Sequence, residues 1–273
     1  MISRTAEATR LKYPPLGIYR SGEAAPGARR FARRTEYSPA GACSMTLVER
    51  AFREGTPCAF STETVHCTGA IRGFGLAPPS FKAPGGLMGN ARLVSSGNGL
   101  CEEGRAAVEE LRVLGATAER LRLFSEGEGF KKSPELTVAT FEALPKLQPN
   151  DGFLNLVPLP ALSEPPEAVI FLADSQQISA LTILAGYARP GFDHVTTPFC
   201  AACSSIAVLP LAERGRDSPK AVIGITDVHA RKVMRRLVGR DYLAFSVPWE
   251  MYEEMEENVP GSFLERHVWE SIA

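Results

Sequence analysis

The six cysteines are the residues of this chain most able to do chemistry, and most of them stand where helices are predicted to begin. They are Cys43, Cys58, Cys67, Cys101, Cys200 and Cys203. Unpaired backbone N–H groups and the helix dipole point at a helix start, so a thiol there is expected to have a lowered pKa and to favour the thiolate. Cys43, Cys67 and the pair Cys200 and Cys203 follow this pattern, which predicts thiolates gathered around an electrophile or a metal cluster. The alternative is that these cysteines are small buried hydrophobic residues packed between helices and strands.

The pair Cys200 and Cys203 forms a C-x-x-C motif with three possible uses. A redox pair would follow a strand and open a helix, as here, but the rest of the thioredoxin-like pattern is missing. Half of a zinc site would need a second pair of ligands, and the four histidines, His66, His194, His229 and His267, are scattered. Part of an iron-sulfur site is the third use. Cys58 is expected in the core of a strand, and Cys101 at a helix start.

The other motifs give weaker indications of function. Residues 77–101 are rich in Gly, Pro and Ser and are predicted to form a long loop, but they contain no phosphate-binding glycine motif. Asp227 follows the apolar run 221–225 and would stand at the carboxyl end of a strand, where open α/β sheets keep their binding residues. The same aspartate fits a helix N-cap paired with Arg231, and we favour the cap.

Composition and charge limit the classes of partner. The chain has 273 residues, of which 44% are hydrophobic and 22% charged, and its formal net charge is -1, so it has the composition of a globular protein. A charge this close to zero provides no general attraction for nucleic acid or an anionic membrane. No apolar run is long enough for a spanning helix and no secretory signal is visible, so we expect a cytoplasmic protein with no membrane or nucleic-acid partner. The oligomeric state is not predicted.

The elements that must position the cysteines predict an α/β or α+β fold, with a mixed sheet, flanking helices and a helix-rich N-terminal portion. Residues 1–40 are interpreted as an extended basic N-terminal segment, in which residues 16–19 are compatible with a short strand and Arg29, Arg30, Arg33 and Arg34 lie on a solvated face. Apolar spacing predicts helices over 45–52, 102–114 and 134–144, and strands over 153–159 and 168–173. Strands and helices then alternate. We expect one domain over 41–273, with a possible seam at 145–166.

Short matches in order along the chain resemble the archaeal conserved region family, domain of unknown function 169. They include Phe171-Leu-Ala-Asp174, Cys203-Ser-Ser, Ala221-Val-Ile-Gly-Ile-Thr-Asp227, Phe245-Ser-Val-Pro248 and Gly261-Ser-Phe-Leu264. Cys43 and Cys67-Thr-Gly-Ala resemble the family's N-terminal half. The resemblance implies a cytoplasmic prokaryotic protein of no assigned activity, with cysteines at Cys43, Cys67 and Cys203. Cys58 and Cys200 look like additions to the family pattern.

Three functions are therefore expected to compete, and the last of them is a structural or interaction protein with neither metal nor small-molecule ligand. In the first, Cys43, Cys67 and Cys203 hold a 4Fe-4S cluster or a single metal ion with one position open for redox chemistry or for a substrate, and Cys200 is a candidate fourth ligand. In the second, the protein is a metal-free small-molecule binding module with a pocket near the glycine-rich loop and Asp227. Whether the chain is an enzyme is left open.

Overall fold

A seven-stranded mixed sheet forms the centre of the structure, a computed structural model that describes residues 1–32, 43–78 and 83–272. The strands are β1 (Leu16–Ser21), β2 (Cys58–Phe60), β3 (Phe153–Pro158), β4 (Ala168–Ala173), β5 (Val195–Thr196), β6 (Ala221–Gly224) and β7 (Leu243–Pro248). Their order is β2-β3-β1-β4-β7-β6-β5. Neighbouring strands are antiparallel except β5 and β6, which are parallel. The predicted mixed sheet with flanking helices is confirmed.

Thirteen α-helices lie in the described part of the chain. They are α1 (Arg4–Ala8), α2 (Met45–Glu54), α3 (Thr68–Gly73), α4 (Gly86–Val94), α5 (Glu102–Val113), α6 (Ala118–Glu126), α7 (Pro134–Glu142), α8 (Ser175–Ala185), α9 (Leu209–Ala212), α10 (Val228–Val233), α11 (Arg235–Val238), α12 (Trp249–Asn258) and α13 (His267–Glu270). A π-helical segment, Ser204–Val208, precedes α9, and single 3-10 turns form at Leu159–Ala161 and Phe263–Glu265.

The two faces of the sheet carry separate cores, because successive side chains of a strand point to opposite faces. On β4, Ile170 and Leu172 join the core that includes buried residues of α2, α3 and the π-helical segment. Val169 and Phe171 point the other way, into the core formed with α8 and α12. We call the α2 and α3 side the first face of the sheet, because the cysteines described below lie there.

Helices α4 to α7 form a smaller cluster with its own core of Leu93, Ala107, Leu111 and Phe124. The prediction of a long loop over 77–101 is wrong for residues 86–94, which form α4; residues 79–82 lie outside the described residues. Two consecutive glycines with positive φ, Gly85 and Gly86, begin this helix. Helix α4 packs against α6 and α7, so tertiary contacts stabilise a helix that its glycine-rich composition disfavours.

The N-terminal segment contains a strand over the residues 16–19 that are compatible with one, and a short helix that the sequence does not predict. Helix α1 has Ser3 as its N-cap, and β1 lies between β3 and β4 in the middle of the sheet. Arg33 and Arg34 of the predicted basic cluster lie outside the described residues. Strand β3, inside the range 145–166 where a seam was expected, pairs with both β1 and β2.

Candidate functional site

A cavity of about 1460 Å³ lies between the helices on the first face of the sheet and the cluster α4 to α7. Cys43, Cys67, Cys200 and Cys203 all line it. They come from three stretches of the chain: the residues before α2, the residue before α3, and the residues before the π-helical segment. We call this space the cysteine cavity. Of the remaining two thiols, Cys58 is buried in β2, as expected, and Cys101 lies at the start of α5.

Helix α3 and the chain at Cys203 approach each other closely. The Cys203 thiol donates to the carbonyl oxygen of Gly69 with an Sγ to O distance of 3.6 Å. A Cβ on Gly73 would lie 2.6 Å from Cys203 Sγ and 2.9 Å from the backbone nitrogen of Ser204. Only glycine fits at position 73 without a shift, so the motif Cys67-Thr-Gly-Ala-Ile-Arg-Gly73 lets α3 pack directly against Cys203.

Burial, and not the helix start, sets the charge of these thiols. It raises the pKa of Cys43 to about 12, with the charge of Cys67 as the second cause, although the Met45 N–H acts in the opposite direction. Burial also raises the pKa of Cys200 to about 12 and that of Cys203 well above its ordinary value. The expectation of lowered pKa values is therefore wrong for these three thiols, because loss of hydration outweighs a helix N-terminus.

The three cysteines predicted as ligands are close enough to influence one another electrostatically. Negative charge on Cys67 and on Cys43 contributes to the raised pKa of Cys203. Yet within residues 1–32, 43–78 and 83–272, no group of three or more His, Cys, Asp or Glu side chains is arranged to hold a metal ion. The cavity thus brings the thiols to one space without forming a finished ligand set.

Two acidic residues line the cavity together with the thiols: Asp227, directly before α10, and Glu128, in the segment after α6. Asp227 Oδ1 accepts hydrogen bonds from the backbone N–H groups of His229 (2.8 Å) and Ala230 (3.3 Å), so the predicted N-cap is confirmed. His229 Nδ1 lies 3.3 Å from Glu128 Oε1. Burial raises the pKa of Glu128 to about 7, and the negative charge of Asp227 adds to this. Burial lowers the pKa of His229, which disfavours the charged form of its ring.

The turn from β6 into α10 fixes Asp227 at the cavity. Ile225 adopts a φ of 59°, a conformation that β-branched residues rarely adopt. Its N–H donates to Ser205 Oγ at 3.2 Å, and Thr226 Oγ1 donates to the carbonyl oxygen of Pro198 at 3.0 Å. The expected pairing of Asp227 with Arg231 is wrong, because Arg231 donates instead to the carbonyl oxygen of Tyr242, at 2.8 Å.

Two arginines in the cavity wall carry no signal in the sequence that marks them as functional. Arg72, on α3, has its guanidinium 4.5 Å from the centre of the Phe141 ring. Its Nη2 atom is buried without a hydrogen-bond partner, and so is Nε of Arg120 on α6. Both side chains line the cysteine cavity.

Two of the four histidines, His66 and His194, lie apart in the structure. His66 lines the cysteine cavity next to Cys67, and its Nε2 lies 3.2 Å from the carbonyl oxygen of Ala32. His194 packs instead against Gly186, next to β5, and is not among the residues lining the cavity. Asp227 and Asn90 both line the cavity; Asn90 lies in α4, within the range predicted as the glycine-rich loop.

Comparison with known proteins identifies a family that is described as uncharacterised. The family model described as Uncharacterised ArCR, DUF169, matches residues 5–258, in agreement with the resemblance seen in the motifs. No curated protein and no solved structure matches the chain. Within the described residues, no helix has the length and apolar character needed to cross a bilayer.

Proposed function

We propose that this chain, which belongs to the uncharacterised ArCR family DUF169, binds a metal ion or a 4Fe-4S cluster through Cys43, Cys67 and Cys203. One observation carries the proposal. Four of the six cysteines, from three separate stretches of sequence, line a single cavity. Chance placement of buried thiols between helices and strands would not require them to share one space.

The charge state of the thiols supports a cation as their partner. With pKa values of about 12, Cys43 and Cys200 are protonated at neutral pH. A thiolate nucleophile or a freely exchanging dithiol needs a thiolate near neutral pH, which argues against a metal-free redox role for the C-x-x-C motif. A bound cation reverses the balance, because it stabilises thiolates and displaces their protons. Metal affinity is therefore expected to rise with pH.

The number of ligands determines what the site does. Three thiolates leave one position of a cluster or tetrahedral ion open, where a small molecule can bind and react. Cys200 is the candidate for a fourth ligand, since its charge contributes to the raised pKa of Cys203. A fourth protein ligand would close the site and favour electron transfer over substrate binding.

The test is the metal content of single variants purified without oxygen from cells supplied with iron and zinc. Iron, zinc and acid-labile sulfide per chain are measured together with visible absorption. Serine at Cys43, Cys67 or Cys203 is expected to abolish metal retention, while Cys58→Ser and Cys101→Ser, outside the cavity, retain it. The effect of Cys200→Ser separates a three-ligand site from a four-ligand site. Wild-type protein without metal would contradict the proposal.

A second candidate is a metal-free module that binds a small molecule in the same cavity. The volume of about 1460 Å³ favours it, because ligand pockets usually enclose about 300–1000 Å³ and a single ion needs far less. This function predicts that a ligand raises the melting temperature by the same amount with or without chelator present. A ligand effect lost on adding chelator would instead support the metal site.

A further inference from the structure

The cysteine cavity has positive charge that its own carboxylates leave unpaired. Five acidic residues line it, and each has a partner: Glu49 pairs with Arg53, Glu119 with Lys232, Glu126 with Arg122, Glu128 with His229, and Asp227 caps α10. In contrast, neither Arg72 nor Arg120 has a carboxylate within ion-pair distance in the part of the chain that the structure describes. Lys131, Arg235 and Arg236 also line the cavity and have no ion pair in that part of the chain. Among these five cations, only Arg72 and Arg120 have a buried donor without a hydrogen-bond partner.

Arg72 stands beside Cys67, the residue before α3, and beside Cys203 of the C-x-x-C motif. Negative charge on Cys67 and on Cys203 acts on its guanidinium, so these groups face one another. The side chain is positioned against the ring of Phe141, and its Nη2 is buried with no acceptor. A buried N–H without a partner costs free energy that an incoming acceptor recovers.

Arg120 lines the cavity from α6. Its positive charge acts on Cys43, Glu128 and His229, which shows where the guanidinium points. Its Nε is buried and has no hydrogen-bond partner. Both arginines therefore line the cavity near its thiols, and each has a buried donor without a hydrogen-bond partner.

We propose that Arg72 and Arg120 bind the oxyanion group of a small-molecule ligand, a carboxylate or a phosphate ester, inside the cysteine cavity. A guanidinium offers a planar pair of donors that matches carboxylate and phosphate oxygens, and the match is strongest where water is excluded. An anionic small molecule is thus the substrate class of the site. The metal or cluster that would react with this substrate rests on the proposed function. Binding of the anion itself needs only the two arginines.

The experiment measures anion binding to the full-length protein by calorimetry and by melting temperature. Sodium succinate and inorganic phosphate are the probes, with sodium chloride at equal ionic strength as the reference. We expect succinate, phosphate or both to bind the wild type, with at least tenfold weaker binding in Arg72→Gln and in Arg120→Gln. Arg112→Gln is the matched control, because Arg112 is exposed on α5 and pairs with Glu109. This control should bind both probes as the wild type does. Whichever probe binds the wild type more tightly indicates whether the ligand is a carboxylate or a phosphate ester.

Several results would overturn the inference: no binding above the chloride reference, or equal binding in wild type and both glutamine variants. If Arg72→Gln does not fold, Arg72→Lys keeps the charge and loses the planar fork, and Arg120→Gln tests the site independently. The variant Cys203→Ser separates the two proposals, since it is expected to lose metal and keep the anion. If wild type purified without oxygen carries no metal and still binds succinate through these arginines, that result would contradict the metal site and leave the anion site standing.

Discussion

The close approach of α3 to Cys203 makes Gly73→Ala a sharp test of the cavity's geometry. The added methyl group would lie 2.6 Å from Cys203 Sγ and 2.9 Å from the Ser204 nitrogen. A rotation of the Cys203 side chain relieves the first contact only. The second involves backbone of the π-helical segment, which must move as a unit.

The expected change in the free energy of unfolding of Gly73→Ala is the sum of two opposing effects. Overpacking of this kind costs about 1–3 kcal/mol in the free energy of unfolding. Alanine in place of glycine within a helix returns roughly 0.5–1 kcal/mol. Gly69→Ala on the same helix is the matched control, because its methyl group would meet only Cys67 Sγ, at an ordinary 3.5 Å. The helix gain is shared, so the difference between the two variants isolates the contact at Cys203.

The assay compares melting temperatures of the two variants with the wild type under identical metal-free conditions. For a domain of this size about 1 kcal/mol corresponds to roughly 2–4 °C, so Gly73→Ala should melt about 2–12 °C below Gly69→Ala. In the double variant with Cys203→Ala, part of the loss should be recovered, because the sulfur is gone and the Ser204 nitrogen remains. Equal melting temperatures for Gly73→Ala and Gly69→Ala would refute the close packing of α3 on Cys203.

Three further outcomes are expected. Burial raises the pKa of Glu128 to about 7, so the folded protein loses stability as pH rises from about 4.5 to 7, and melting curves across that range should show Glu128→Gln gaining on the wild type. Burial acts to raise the pKa of Glu167, but hydrogen bonds and charge from Arg20 outweigh burial and lower it. Glu167→Gln should therefore lower the free energy of unfolding by about 1–3 kcal/mol at pH 7, and this loss should disappear as pH falls below 4.5. Because burial raises the pKa of Cys203, iodoacetamide should alkylate this thiol slowly in native metal-free protein and fully after unfolding, as read by mass spectrometry.

The elements that the sequence predicts well are those fixed by local signals. Strand β4 is a continuous apolar run, and the helix after it begins with a capping box between Asp174 and Gln177. Helix α2 ends at Gly55, whose φ of 62° suits glycine. These features depend on neighbouring residues, so periodicity and capping rules find them.

The features that the sequence does not predict depend on contacts between distant residues. Strand β1 enters the middle of the sheet through pairing with β3 and β4, which no local pattern encodes. Helix α4 is stabilised by packing on α6 and α7. The unpaired donors of Arg72 and Arg120 are a property of their surroundings, and each residue alone looks like any helical arginine.

The cysteines show why position could be predicted from the sequence while charge could not. A helix N-terminus is worth up to about 2 kcal/mol, or somewhat more than one pKa unit, whereas full burial shifts a pKa by about 3–5 units. Burial therefore prevails, and in the metal-free protein the positive charge of Arg72 and Arg120 faces neutral thiols. Three thiolates formed on metal binding would neutralise part of that positive charge. Metal binding should therefore lower the affinity for an anion that is held by the arginines alone. An anion that also coordinates the open metal position should bind more tightly after loading, and the sign of the change in affinity separates these two arrangements.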